Sequence, residues 1–265
     1  MKPLRIAMSP RQRWRRAIIF ASFLLFPLTL TYFSPVVILQ GAIKGAVTAS
    51  AITFVALFFS GLVFGRGFCG WVCPGAGLQE PLAAVNPDAV TSQVAGKVKW
   101  MLWIPWLMAI LTCYGLAVAT NPAGLRLEPD FMMKAWVSID RPMMFIPYFT
   151  VLALIVWQAL ALGRRGFCHS LCWMAPFLIL GTRAGERLNL PRLRLAVETS
   201  GSGGCDGCSS CAACTRACPM SLPVADMAAR GDMRHAECVL CGECADVCPR
   251  RVISLGFRAS NANKP

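Results

Sequence analysis

Cys208-Ser-Ser-Cys211-Ala-Ala-Cys214-Thr-Arg-Ala-Cys218-Pro219 and Cys238-Val-Leu-Cys241-Gly-Glu-Cys244-Ala-Asp-Val-Cys248-Pro249 are two copies of one pattern, 30 residues apart. Each sets three cysteines at two-residue spacing, a fourth after three more residues, and a proline directly behind it. Two intervening residues let three thiolates converge from one tight loop, which neither a regular helix nor a strand achieves. The fourth cysteine lies a short helical turn further on and faces the other loop. The proline restricts the backbone there and turns the chain aside.

This run, given twice, is the signature of a bacterial two-cluster ferredoxin. It assigns Cys208, Cys211, Cys214 and Cys248 to one [4Fe–4S] cluster, and Cys238, Cys241, Cys244 and Cys218 to the other. Zinc also accepts Cys-x2-Cys pairs, but it gives no reason for the x3-Cys-Pro ending or for its repetition. Nine of the 14 cysteines lie between Cys205 and Cys248 at metal-ligand spacing, which excludes a secreted disulfide scaffold. Cys205 adds one more step upstream, as a spare thiol beside the glycine-rich linker 201–204 or in place of Cys208 in a shifted register. A short helix is expected over 224–234 and a closing strand over 251–255.

Upstream of this tail the chain changes character. The whole sequence is 56% apolar and only 15% charged, and the apolar residues concentrate in charge-free stretches at 17–39, 46–65, 100–125 and 142–163. Each is long enough to cross a hydrocarbon core of about 30 Å at about 1.5 Å per residue. A fifth stretch, 171–182, is too short to span and predicts an interfacial or re-entrant segment. The expected fold is therefore a membrane all-α protein. Its four transmembrane helices form two parallel-repeat hairpins, followed by a small α+β two-cluster ferredoxin-like domain. The expected divisions are a basic N-terminus (1–16), the membrane domain (17–200) and the ferredoxin-like domain (201–265).

The formal charge of +13 comes from 26 Lys and Arg against 13 Asp and Glu. The basic residues stand beside the apolar stretches, at Arg11, Arg13, Arg15 and Arg16 and again at Arg164, Arg165, Arg183 and Arg187. That distribution marks the cytoplasmic face of a membrane rather than a nucleic-acid partner. It predicts a multi-pass protein of the bacterial inner membrane with both termini cytoplasmic. The first stretch is too long for a signal-peptide core and is read as a retained anchor.

Two more cysteine pairs end the second and fourth stretches. Gly65-Arg66-Gly67-Phe68-Cys69-Gly-Trp-Val-Cys73-Pro74 and Gly163-Arg164-Arg165-Gly166-Phe167-Cys168-His-Ser-Leu-Cys172 share Gly-Arg-(Arg)-Gly-Phe-Cys-x3-Cys at a distance of 99 residues. A parallel repeat brings both loops to one membrane face. Cys69, Cys73, Cys168 and Cys172 then form a candidate metal site, and the adjacent arginines favour thiolates. A third [4Fe–4S] cluster and another thiolate-bound metal both fit this donor set. So do redox-active dithiols and purely structural cysteines. His169 and His235 are the only histidines, too few to ligate a haem pair between helices, and no Cys-x-x-Cys-His motif is present, so no haem is expected. The stretches carry no charge at their centres, which gives an ion pump no support. Tryptophans such as Trp71, Trp100 and Trp157 suit interface anchoring, and a quinone site would use the same aromatic walls.

In this combination the chain resembles the membrane polyferredoxins of the NapH type, with related cores in NosR, the regulator linked to nitrous oxide reductase, and in the MauN protein. The resemblance runs from residue 11 to about residue 258. It implies electron transfer between the quinol pool and partner redox proteins, with membrane lipid and quinone as further partners and no catalytic residue in this chain. The family's paired Cys-x3-Cys-Pro loops map onto Cys69, Cys73 and Pro74 and onto Cys168 and Cys172, but the second proline is displaced to Pro176. The rival expectation is a maturation factor that supplies electrons or metal to an exported metalloenzyme.

Purified protein is expected to hold about eight iron and eight acid-labile sulfides if only the tail is loaded, and about twelve of each if the paired loops hold a third cubane. Iron near zero with stoichiometric zinc in metal analysis would remove the iron–sulfur reading altogether.

Overall fold

The computed structural model describes residues 8–90, 93–120, 124–198 and 211–258; Cys205, Cys208 and the linker 201–204 lie outside the described residues. The chain opens with α1 (Pro10–Leu24), whose N-cap Ser9 accepts from the Gln12 N–H. After Leu25 the path bends by 60° into α2 (Phe26–Thr29) and a 3-10 turn (Leu30–Phe33). Ser34 then caps a new helix, α3 (Pro35–Ile43), by accepting from the Val37 N–H, with Pro35 at its start. A two-residue strand β1 (Ala46–Val47) leads through the N-cap Thr48 into α4 (Ala49–Phe64).

Two short helices follow, α5 (Gly67–Trp71) and α6 (Pro74–Leu82), before the long α7 (Gln93–Thr120). Strand β2 (Arg126–Leu127) pairs in parallel with β1. A 3-10 turn (Pro142–Met144) runs into α8 (Phe145–Leu162), then α9 (Gly166–Ser170) and α10 (Ala175–Arg187). Strand β3 (Arg192–Val197) precedes the tail helices α11 (Ala213–Ala217), α12 (Val224–Ala229) and α13 (Glu243–Asp246). It pairs antiparallel with β4 (Ile253–Arg258), in register from Arg192 opposite Arg258 to Val197 opposite Ile253.

The expectation of four transmembrane helices in two parallel hairpins is corrected here. Among the described residues two helices are long and apolar enough to cross a membrane, Gly96–Thr120 and Pro142–Leu162, or three if the bent pair Pro10–Leu24 and Phe26–Phe33 counts as one. The cause is local chemistry that an absence of charge conceals. The 17–39 stretch is cut by the bend at Leu25 and restarted by the Ser34–Pro35 cap. The second stretch yields a helix of 16 residues, about 24 Å long against a core of about 30 Å.

Nor does α4 pair with the first stretch as a hairpin partner. Its main neighbour is α10, where three glycines let the backbones meet. A Cβ at Gly61 would lie 2.9 Å from the Leu178 carbonyl oxygen, one at Gly181 2.2 Å from that of Phe58, and one at Gly185 2.4 Å from that of Leu62. Small residues at such a crossing are the usual means of helix association in lipid. The outward faces of α4, α7 and α8 expose Phe59, Met108, Leu111, Ile146, Phe149 and Trp157. Apolar exposure on this scale, together with the two spanning-length helices, makes the chain membrane-associated.

The tail is docked rather than tethered. Arg11 pairs with Asp246 at 2.8 Å, Gln12 donates to the Cys241 carbonyl at 3.0 Å, and Arg16 pairs with Glu243 at 3.1 Å. Arg15 is wholly buried, binds Glu80, and donates to the Gly70 carbonyl at 3.2 Å. The basic residues of α1, which read as a mark of membrane orientation, thus hold the tail module and the first cysteine loop together.

Glu80 is the anion these contacts turn on, since it also receives Arg165 at 2.7 Å. Glu80→Gln takes the carboxylate from buried Arg165 and leaves Arg15 only Glu243 at 3.5 Å, and is expected to cost about 3 to 5 kcal/mol. In detergent this should appear as a fall in Tm of several degrees or more. An unchanged Tm would show that the pair of arginines is balanced by something else.

Candidate metal centre

The two cysteine loops fold alike. Gly65 (φ 55°) and Gly163 (φ 93°) end α4 and α8 with backbone that side-chain-bearing residues rarely adopt. Arg66 and Arg165 then cap α5 and α9, and the Cys69 and Cys168 N–H groups bond back to the Arg66 and Arg165 carbonyls at 3.0 and 2.9 Å. Cys73 and Cys172 close each turn onto the Phe68 and Phe167 carbonyls, both at 3.0 Å. Pro74 starts α6, and Pro176 sits in the first turn of α10, so the displaced proline still opens a helix behind its loop.

Cys69, Cys73, Cys168 and Cys172 are all buried, at 4 to 5% exposure. They are also mutual neighbours. Burial pushes the Cys73 thiol well above its ordinary range, and Cys69, Cys172 and Cys168 push it further. Burial likewise raises Cys172 to about 12, with Cys168 and Cys69 adding to it. Burial raises Cys69 too, against the opposing pull of Arg66 and Arg165. Yet among the described residues no three His, Cys, Asp or Glu side chains stand at the spacing of a single bound ion. Tetrahedral thiolate around zinc would need sulfurs about 4 Å apart. The four thiols nonetheless belong to one buried cluster.

Its electrostatics ask for an anion. Burial disfavours the Arg66 guanidinium, but Cys69 and Glu237 hold it charged; Arg165 is held the same way by Glu80 and Cys168. Arg66 Nε and Nη2, Arg165 Nε and His169 Nε2 are buried with no hydrogen-bond partner. A buried guanidinium N–H left unmatched is costly, and an anionic group held by four thiolates would answer it. The donor set and the unpartnered guanidinium N–H groups beside it thus fit an iron–sulfur cluster, whose chemistry is one-electron storage. Burial also lowers His169 to about 4, helped by Lys99 and Arg66, so its imidazole is neutral.

Two carboxylates that sequence reading passed over complete the balance. Burial would raise Glu80, but Arg165 and Arg15 outweigh it and hold it below the usual range. Burial would raise Glu237 as well, but Arg66 and Lys99 bring it to about 2. Arg66 donates to Glu237 at 2.7 Å and to the Ala236 carbonyl at 3.1 Å. The signal was there to find: in a chain with half as many acids as bases, one acid falls six residues after Pro74 and another directly before Cys238.

In the tail, Ala212 (φ 44°) and Gly242 (φ 75°) cap α11 and α13 at equivalent points of the two motifs. Burial raises Cys238 to about 12 and Cys241 to about 11, and both sit near Cys218. Burial also lifts Cys244 well above its ordinary range, with Cys241, Cys238 and Cys218 as neighbours. Cys214 is raised by burial and lies near Cys248 and Cys211. The structure thus gathers Cys238, Cys241, Cys244 and Cys218 on one side and Cys211, Cys214 and Cys248 on the other. Cys208 lies outside the described residues.

The first group faces the membrane loops. A Cβ at Gly70 would lie 2.3 Å from the Val239 carbonyl oxygen and 3.4 Å from the Cys241 nitrogen. Trp71 Nε1 donates to the Leu240 carbonyl at 3.0 Å. From the second loop, Arg164 donates to the Cys218 carbonyl at 3.3 Å. Beside three of the four thiols lies an apolar cavity of about 460 Å³, walled by Cys73, Cys168, Cys172, Phe26, Phe33 and Ile155. Thr31 and Gln79 also line it, and Thr31 Oγ1 and Gln79 Oε1 are buried without partners.

Residues 207–253 match the 4Fe-4S dicluster domain. Residues 46–88 and 143–187 match the 4Fe-4S binding domain, one match over each cysteine loop. The chain is 31% identical over 129 residues to the Regulatory protein NosR of Pseudomonas aeruginosa (strain PAO1), which covers 46% of this chain and 17% of that protein. The chain thus spans about a sixth of the curated relative it matches. No solved structure matches it. It is a 4Fe-4S dicluster-containing protein distantly related to NosR.

If the four loop cysteines serve one centre, Cys69→Ser and Cys168→Ser should each abolish the same paramagnetic resonance signal and leave those of the tail intact. The double variant should lose little more than either single one, because residues acting as a unit are not additive. Two distinct signals, each lost in only one variant, would mean two independent sites.

Proposed function

We propose that this chain is a membrane iron–sulfur electron carrier that serves the maturation of an exported metalloenzyme, supplying it with electrons or metal. The observation that carries the reading is the bare backbone contact between Gly70 and the Val239–Cys241 segment. It sets the loop bearing Cys69 directly against the loop bearing Cys238 and Cys241. In this reading Cys208, Cys211, Cys214 and Cys248 hold one [4Fe–4S] cluster, Cys238, Cys241, Cys244 and Cys218 a second, and Cys69, Cys73, Cys168 and Cys172 a third.

The chain's own residues then have separate tasks. Arg66 and Arg165 keep positive charge beside the buried loop thiols, and Glu237 and Glu80 fix those guanidiniums in place. Arg15, Gln12 and Trp71 hold the tail at a constant distance by binding its carbonyls and those of the first loop. Cys211 is exposed whereas Cys241 and Cys244 are buried, which supports exchange with a partner protein at the outer end of the tail. The contact of Arg11 in α1 with Asp246 in α13 supports a common face for the start of α1 and the tail, and the surrounding arginines support the cytoplasmic one. The curated relative is named as a regulatory protein, which favours service to another enzyme over a catalytic activity of its own.

A second reading, quinol oxidation of the NapH kind, is favoured by the apolar cavity beside Cys73, Cys168 and Cys172. Its two unpartnered oxygens, on Thr31 and Gln79, suit the hydroxyls of a quinol head.

The readings separate experimentally. Deleting the chain should strip the metal from one exported metalloprotein while its polypeptide persists, as seen by metal analysis of chromatographed exported proteins. Wild-type chain should restore the metal, and the Cys69→Ser, Cys168→Ser double variant should not. An unchanged metal profile would sink the maturation reading. Reduction of the tail by a short-chain quinol in lipid nanodiscs would then support the second; tail clusters that stay oxidised would exclude it.

A further inference from the structure

Gln79 is a costly residue where it stands. It is wholly buried in α6, in the first turns behind Cys73, and its Oε1 has no partner. An apolar side chain would fill the space without burying an amide. The second half of the chain does so: 99 residues on, behind Cys172, the equivalent position is Leu178, equally buried and apolar. The repeat by itself therefore has no need of a glutamine here.

Its amide nitrogen explains the difference. Nε2 donates to the Gly75 carbonyl at 3.0 Å, one helical turn back, and to Cys168 Sγ at 3.3 Å, across to the other loop. Both partners are acceptors, a carbonyl oxygen and a sulfur, so the amide cannot be reversed without facing its oxygen to each of them. α6 begins at Pro74, directly behind a cysteine of the first loop, and the contact ends on a cysteine of the second. Gln79 thus joins the two halves of the four-cysteine site through a donor aimed at sulfur.

We infer that Gln79 is a positioning residue that sets the reduction potential of the centre held by Cys69, Cys73, Cys168 and Cys172, through its hydrogen bond to Cys168 Sγ. This rests on the reading that those cysteines hold an iron–sulfur cluster. Hydrogen bonds to the sulfurs are among the features that fix such potentials. An N–H aimed at a thiolate withdraws charge from it and stabilises the more negative, reduced state, so its presence raises the potential. The Arg66 and Arg165 charges act in the same sense, but their counter-charges Glu237 and Glu80 offset them. Gln79 is neutral and has no such counterpart.

The test uses full-length protein in detergent, with iron and sulfide counted and the centre followed by paramagnetic resonance during redox titration. Gln79→Met keeps the volume and removes the donor; Gln79→Glu keeps the shape and places an acceptor against the sulfur. The signal that Cys168→Ser abolishes should move to lower potential in Gln79→Met and lower still in Gln79→Glu, while the tail potentials stay put. A fully loaded Gln79→Met centre at the wild-type potential would overturn the inference. Loss of that centre in both variants, with the tail loaded, would overturn it too, by making Gln79 a determinant of assembly. Wild-type protein with only about eight iron would instead show that the underlying cluster reading had failed, and the inference with it.

Discussion

Two arginines buried among four thiols set the terms for everything around them. Arg66 and Arg165 occupy equivalent positions of the repeat, are almost fully removed from water, and keep unpartnered N–H groups. A guanidinium in such a place is tolerable only with matched negative charge. The four cysteines would supply part of it from one side once a bound metal centre takes their protons' place. Glu80 and Glu237 supply the rest from the other, and they come from different places: Glu80 from the helix behind the first loop, Glu237 from the tail. Arg66 therefore cannot be neutralised unless the tail is docked. The charge balance of the membrane-face site and the position of the ferredoxin-like module are one requirement.

That coupling accounts for a feature of the N-terminus. Arg11, Gln12, Arg15 and Arg16 lie along two turns of α1, and each reaches the tail or the acid that binds it. The positive charge beside the first apolar stretch is used in ion pairs. Arg15 is the extreme case, with no exposed surface and contacts to Glu80, Gln12 and the Gly70 carbonyl. A long side chain with a fixed planar fork suits this bridging better than a lysine would.

How legible this was depended on the kind of signal. The double cysteine motif and the 99-residue loop repeat are covalent spacings, and spacing survives into structure: Cys69 and Cys168 bond back to the Arg66 and Arg165 carbonyls, and Cys73 and Cys172 to those of Phe68 and Phe167. The number of spanning helices is not legible in charge alone, because freedom from charge says nothing of where helices start and stop. Ser34-Pro35 and Thr48 are caps written in uncharged residues, and the glycines of α4 and α10 direct α4 to a partner that periodicity did not single out. The roles of Glu80, Glu237 and Gln79 are illegible for another reason. Their meaning lies in contacts over long sequence separations, from Gln79 to Cys168 and from Glu237 to Arg66.

The repeat also shows where symmetry had to break. The short helices α5 and α9 superpose in pattern, but the residue after the first cysteine is Gly70 in one and His169 in the other. At Gly70 any side chain would meet the Val239 carbonyl, so the first loop offers the tail its bare backbone. At His169 a buried imidazole fills the corresponding space and lies against the Met220 backbone, while Arg164 reaches the Arg216 and Cys218 carbonyls. One loop is thus in van der Waals contact with the Cys238–Cys241 segment, and the other holds the Cys218 segment by side chains. Both touch the same group of tail cysteines. A duplicated loop serving a single docked module cannot keep its two copies identical, because the module presents a different segment to each. The asymmetry of Gly70 against His169 is the geometric consequence, and it leaves Cys211, Cys214 and Cys248 as the outward group.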